Sequence, residues 1–356
     1  MPTPPPPFAL QHSPNIPELL LQLNCTLAIS TYQAGKVVFI SPKNEDSLIQ
    51  LPRTFAKAMG MTLENGKMAI ATKDEVIVLV NSPELASHYP AKPNTYDTMF
   101  MPRATYYTGQ IDIHDLDWGQ NGDLYAVNTS FSCLIKIDDN YSFTPIWQPP
   151  FIDRLVSEDR CHLNGMAMQN GIPKYVTAFN EGNSKQSWRE VVTTGGILMD
   201  VDSNEVIARG LPMPHSPRIF DEELYVLFSA TGELARINKQ DGTYEVITRL
   251  DGFVRGLARQ GDYVFIGLSK LRKNSSTFAK LAIAEKSNQS GIAVVHLPTG
   301  AIVGMINYLS SVDEIYDVQV IPNVIRPGIL NTMKPEFKMG LSTPKSTYWA
   351  KLKEES

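Results

Sequence analysis

Apolar and polar residues alternate along most of the chain with a period of two, in short runs that end at Gly, Asn, Asp or Pro. This is the pattern of short β-strands. The pattern also repeats. "MGMTLENGKMAIATKDEVIVLV" from Met59 and "DLDWGQNGDLYAVNTSFSCLIKI" from Asp115 each give an alternating strand, a Gly-containing turn and two further strands. "NGMAMQNGIPKYVTAFN" from Asn164, "HSPRIFDEELYVLFSATGELARI" from His215 and "RGLARQGDYVFIGLS" from Arg255 repeat the form, and "DVQVIPN" from Asp317 starts a further copy that stops after one strand. The third unit contains four strand-sized runs, "GMAMQNG", "PKYVTAFN", "GGILMDVD" and "NEVIARGL". Four short strands per repeat, with no amphipathic helical stretches between them, exclude a βαβ fold and predict the blades of an all-β propeller.

The incomplete copy finds its missing strands at the other end of the chain, in "TLAISTY", "KVVFISP" and "SLIQLPR". Pairing the two termini in one blade leaves no open sheet edge around the ring. The expectation is a six-bladed β-propeller over 24–323, its last blade closed by N-terminal strands plus one C-terminal strand. A Pro-rich, flexible segment precedes it at 1–23, and a C-terminal extension at 324–356 packs on the rim or stays mobile.

Propeller topology then sorts the loops. The crossings into each inner strand and the turns between second and third strands lie on one face. That face receives "TGQIDIHD", "SEDRCHLN", "MPHSPR", "GFVR" and "VDEIYD", together with "TYQAGK", "TSFSC" and the long loops at 180–196 and 269–291. The opposite face receives plain turns such as "LENGK" and "KQDGT". Long, chemically mixed loops on a rigid scaffold mark the first face as functional.

Aligning the inner strands on MGMT, DLDW, NGMA, HSPR, RGLA and DVQV places Met59, Asp115, Asn164, His215, Arg255 and Asp317 at one register. Side chains alternate along a strand, so one register means one direction, and a mainly polar register is expected to line the central channel. His162 shares that parity, whereas His114 is expected to point between blades. His162, His215, Asp115, Asn164 and Asp317 could together hold a divalent cation, the candidate cofactor. A metal-free pocket is the alternative. There His215 is the candidate catalytic base with Asp115 or Asp317, and Arg255 grips a carboxylate or phosphate, aided by Asn164, Arg160 and Arg218. Tyr32 and Gln33 would be rim contacts and Trp188 an aromatic cap. A third reading is a channel whose polar groups hold ordered water. Cys161, next to His162 on a strand, is expected to be a packed thiol.

Composition narrows the partners. A net charge of -5 with no long basic run argues against nucleic acid. No apolar run approaches the ~20 residues of a membrane span. Three cysteines without CxxC pairing and an N-terminus without a signal-peptide pattern fit the cytoplasm. The expected partner is a small-molecule or peptide ligand. The rival is a non-enzymatic scaffold that binds another protein through the loops at 180–196 and 269–291.

"STYQAGK", "TGQIDIHDLDW", "EDRCHLNGMAM", "GLPMPHSPR", "GFVRGLA" and "EIYDVQVIP" together resemble a bacterial family of conserved hypothetical proteins. That resemblance implies a propeller and supplies no reaction. At the level of architecture alone the chain is similar to six-bladed lactonases and strictosidine synthase-like proteins. Some of those lactonases hold a divalent cation with Asp, Asn and Glu. This sequence has His215 and Arg255 where an all-oxygen site would be expected.

Overall fold

The computed structural model describes residues 4–271, 278 and 281–351. Six four-stranded antiparallel sheets surround a central axis. Their inner strands are Met61–Glu64, Ile113–Trp118, Gly165–Gln169, Pro214–Phe220, Phe253–Gln260 and Asp317–Pro322, in blades one to six. The sixth blade closes the ring as the alternation implies: Cys25–Thr31 pairs with the inner strand from Cys25↔Pro322 to Ser30↔Asp317, and Lys36–Asn44 and Ser47–Thr54 complete it.

Period-two alternation here feeds two cores at once. In the strand Lys67–Ala71, Met68 and Ile70 enter the cluster shared with blade six, while Ala69 and Ala71 enter the cluster shared with blade two. Each blade-to-blade interface holds one such cluster. The propeller is therefore a ring of stacked sheets with almost no side chain of the middle strands left to solvent.

The N-terminal segment expected to be flexible is built into the ring from residue 10 onward. Leu10–His12 adds a fifth strand to the outer edge of blade five, with Leu10↔Tyr308. Ile16–Gln22 forms a helix whose Ile16 and Leu20, one turn apart, are fully buried in the cluster between blades five and six. The four prolines at 4–7 end before these apolar residues begin. The C-terminal extension also docks. Pro327–Ile329 lies parallel to Thr98–Tyr107 on the edge of blade one. A small hairpin, Gly340–Ser342 with Thr347–Trp349, then brings Trp349 to 5.3 Å from Tyr89, its Nε1 donating to the Leu85 carbonyl at 2.8 Å. Both terminal segments cover outer edges that would otherwise expose unpaired backbone. Among the described residues no helix is long and apolar enough to cross a membrane.

Candidate functional site

A cavity of about 290 Å³ opens on the face that collects the interblade crossings and the second-to-third strand loops. Its floor is set by how the chain enters each inner strand. Asp112 and Met213 take left-handed backbone, φ 59 and 56. Two residues later, His114 Nδ1 donates to the Asp112 carbonyl at 3.0 Å and His215 Nδ1 to the Met213 carbonyl at 3.2 Å. Ile113, Pro214 and Val254 all pair with the same position of their second strands, Asn128, Phe228 and Leu268. His114, His215 and Arg255 therefore occupy one register, and Asp115 lies one residue past it.

This corrects the expected alignment. Pairing shifts between Ala126 and Asn128, between His215 and Arg218, and between Arg255 and Leu257 insert a residue, so parity is not preserved along these strands. His114 lines the cavity and does not point between blades. A gapless alignment that begins one residue earlier for blades two and six, IHDL, LNGM, PHSP, VRGL and IYDV, carries the signal. Each has an apolar residue, then a His, Asn, Arg or Tyr that lines the cavity or the small void beneath it, then Asp, Ser or Gly.

The second position of this alignment supplies most of a closed belt. His162 lies 4.9 Å from His114, which lies 5.5 Å from Tyr316, whose ring is 4.5 Å beneath the Arg255 guanidinium. Arg255 Nη2 reaches His215 Nε2 at 3.3 Å, His215 lies 5.1 Å from Phe179, and Phe179 returns to His162 at 4.5 Å. Trp188, from the long loop at 180–196, also packs on His162, at 4.4 Å. Tyr32 and Gln33 complete the rim.

His215 is a neutral acceptor. Ser229 Oγ donates to the Val254 carbonyl at 2.6 Å, so it accepts from His215 Nδ1 at 2.7 Å, and the ring proton sits on Nδ1. Nε2 then receives Arg255. Burial, and next the Arg255 charge, hold His215 well below the usual imidazole range. His114 is likewise pushed down to about 4, by burial first and then by His162 and Arg255 against Asp112. As a general base His215 is spent, because its lone pair already faces a guanidinium.

Arg255 is the under-partnered cation. Its side chain is 14% exposed and, among the described residues, its closest carboxylate oxygen is Glu314 Oε1 at 3.6 Å and its buried Nε has no hydrogen-bond partner. Asn164 Nδ2 and Tyr316 Oη are also buried donors without a partner, and both border the small void beneath Arg255. Burial keeps the Tyr316 phenol well above its ordinary range, so its proton stays on. Among the described residues these three donors beside one void are unsatisfied, and buried donors call for an acceptor.

Asp115 and Asp317, expected as catalytic or metal-binding residues, are structural stitches. Asp115 Oδ2 accepts the Met166 amide at 3.0 Å and Asp317 Oδ2 the Met61 amide at 2.9 Å, each in the next blade, and Ser216 Oγ does the same for Gly256 at 3.0 Å. The hydroxyls of Ser30, Thr129 and Ser229 donate to the carbonyls of Met59, Leu163 and Val254 across the same three joins. The side-chain-to-amide stitch thus falls at blades six to one, two to three and four to five, while the hydroxyl-to-carbonyl bond recurs also at blades five to six, where Ser269 Oγ donates to the Ile315 carbonyl at 3.0 Å. In the remaining joins the packing is closer. A Cβ on Gly165 would meet Pro217 Cδ at 2.4 Å, and one on Gly256 would meet the Val318 nitrogen at 2.6 Å.

Arg218, expected to bind ligand, is fully engaged by Asp115 at 2.8 and 3.0 Å and by the Met166 and Pro217 carbonyls. Arg160, expected at the mouth, is bound by Asp153, Glu158 and Asn183 and does not border the cavity. It pins the loop that carries Trp188. Cys161 is buried in the cluster between blades two and three, its thiol pushed up to about 12 by burial.

The proposed cation ligands do not form a set. Among the described residues no three His, Cys, Asp or Glu side chains converge on a point where an ion could sit. His162 Nδ1 is held by Asp159, His215 faces Arg255, Asn164 Oδ1 accepts Thr177 Oγ1, and the Asp115 and Asp317 oxygens hold backbone amides. Part of the loop at 269–291, offered for protein binding, lies outside the described residues. Ser269, Lys270, Leu271 and Phe278 line the cavity.

Residues 14–330 match a family described as a domain of unknown function, DUF4915. No curated protein sequence matches the chain. In three dimensions it is similar to a chain in the crystal structure of a nidogen/laminin complex, at 10% identity and a TM-score of 0.54, over 84% of this chain and 99% of that one. That likeness establishes the propeller fold alone. Virginiamycin B lyase from Staphylococcus aureus, solved with quinupristin, aligns over the same shares at 11% identity and a TM-score of 0.42.

Proposed function

The chain belongs to the DUF4915 family, and on that premise we propose that it binds a small anionic ligand with an aromatic or apolar body in the cavity over Arg255. The observation that carries this is the state of Arg255: a largely buried guanidinium with an unpartnered Nε, lying over the Tyr316 ring and open to the cavity. A planar fork in that setting is suited to a carboxylate, which it can hold by paired, charge-assisted hydrogen bonds. Phe179, Trp188, Phe253 and Tyr316 supply apolar walls, the usual make-up of a small-molecule site around a few polar anchors.

The scaffold reading is weaker on the same ground. The loop at 180–196 spends its one tryptophan inward, 3% exposed, where a protein-docking loop would present it. Three buried, free cysteines suit a reducing compartment, so we place the protein in the cytoplasm.

Thermal-shift and calorimetric titration with 3-phenylpropionate and its primary amide test the proposal. The carboxylate should bind and stabilise, the amide should not, and Arg255→Met should remove the difference. Equal behaviour of the two compounds, or unchanged binding in Arg255→Met, would sink it.

A further inference from the structure

Opposite Arg255 on the belt, His162 is set up differently from the other two belt imidazoles, His114 and His215. Its Nδ1 lies 3.1 Å from both oxygens of Asp159, and Trp188 Nε1 donates to Asp159 Oδ2 at 3.0 Å. An ionised carboxylate only accepts, so Nδ1 carries the proton and Nε2 keeps its lone pair. Asp159 and His162 both take left-handed backbone, φ 46 and 51, which turns the imidazole back onto the carboxylate three residues earlier. Phe179 and Trp188, themselves 5.4 Å apart, both pack against the ring. His114 and His215 donate their Nδ1 protons to backbone carbonyls or a hydroxyl, and His215 Nε2 is occupied. Among the described residues His162 is the one belt imidazole hydrogen-bonded to a carboxylate, Asp112 Oδ2 standing 3.8 Å from His114 Nδ1, and its Nε2 has no partner.

Resting on the carboxylate pocket proposed above, we infer that the ligand is an aromatic hydroxy- or amino-carboxylate, its carboxylate on Arg255 and its O–H or N–H donated to Nε2 of His162. Simple carboxylates satisfy only half of this site. The carboxylate of Asp159 fixes the tautomer and orientation of the imidazole, so Nε2 meets the ligand as a pre-set acceptor. In any proton transfer in this cavity it is the group placed to accept.

The test compares 3-phenyllactate with 3-phenylpropionate, which differ by one hydroxyl. Wild-type protein should bind the hydroxy acid about tenfold more tightly, as one hydrogen bond to a well-oriented acceptor supplies. His162→Phe, which keeps the aromatic stack, should bind both acids equally and with the wild-type affinity for 3-phenylpropionate. Arg255→Met should weaken both. Equal binding of the two acids by wild type, with Arg255→Met still weakening both, overturns the role of His162 and leaves the carboxylate pocket standing. Failure of both acids to bind overturns both, and failure of 3-phenyllactate alone overturns the role of His162. Nitrogen-15 spectra of the histidine rings give a second check that does not depend on the variant folding: His162 should show a protonated Nδ1 and a bare Nε2, and a proton on Nε2 overturns the inference.

Discussion

Arg218 of the fourth blade closes on Asp115 of the second, Nη1 to Oδ2 at 2.8 Å and Nη2 to Oδ1 at 3.0 Å, reaching past the third blade whose Met166 amide binds the same carboxylate. Three blades meet in one bidentate ion pair at the axis. Burial alone would lower the pKa of Arg218, but Asp115 holds it above its ordinary value. Removing one partner leaves a buried charge without compensation. Arg218→Met and Asp115→Asn are each expected to cost about 3–5 kcal/mol of unfolding free energy, whereas a double Asp115→Leu, Arg218→Met variant should cost less than the sum. Urea denaturation of the three variants checks this, and additive losses would remove the coupling.

Stability should fall in acid, and the sign follows from three groups. His114 titrates near 4 in the folded protein and His215 well below its ordinary 6.5. Their contribution is present above pH 6.5, where both states are neutral. It is lost as pH falls through the folded values, because only the unfolded chain takes up the protons early. Asp317 acts the other way: burial raises it to about 6 from 3.8, so the folded state binds a proton first and gains stability between those values as pH drops. Two imidazoles outweigh one carboxyl, so the denaturation midpoint should decline from pH 6.5 toward 4. His114→Gln should flatten that decline and Asp317→Asn should steepen it.

The closeness of neighbouring inner strands gives a paired comparison. Gly109 and Gly256 both have positive φ, 75 and 79, but a Cβ on Gly109 meets nothing within 4 Å, while one on Gly256 strikes the backbone of Val318 and Asp317. Gly109→Ala should cost about 1 kcal/mol, the price of left-handed backbone alone. Gly256→Ala should cost at least about 2 kcal/mol more, because the clash is with backbone that cannot rotate away. Thermal melts of the two variants separate strain from crowding.

Most of the ring was legible in the sequence because each strand obeys a local rule, alternation between turn residues, and because "DVQVIPN" and "TLAISTY" each lack what the other provides. What was not legible is non-local. Asp115 and Asp317 read as site residues since they are polar on inner strands, yet their oxygens are consumed by the amides of Met166 and Met61 in neighbouring blades. His114 was hidden by a bulge, which changes parity without changing composition, and Tyr316 lies one residue before its strand begins. Asp159 gave no signal at all. Only its left-handed backbone, three residues before His162, makes it a partner. Arg255 keeps its expected register and lines the cavity.

The N-terminal helix is a structural wedge, and this sets the last prediction. Ile16 and Leu20 are both fully buried, packed with Phe265, Ile292 and Ile306 of blade five and Leu27, Val38 and Ile40 of blade six. Asn15 Nδ2 also donates to the Val303 carbonyl at 2.9 Å, and a Cβ on Gly304 would collide with Ile16, so the helix sits directly against the strand Ala301–Tyr308. That join is next to the blade that closes the ring. Leu20→Ala should therefore cost about 2–5 kcal/mol, the range for a cavity in a closed core. It should also raise amide exchange in Cys25–Thr31 and Ser290–His296 before it does so in blades two and three, since local opening follows lost packing. An effect confined to residues 4–23, with no change in midpoint, would show the helix to be only an adherent tail.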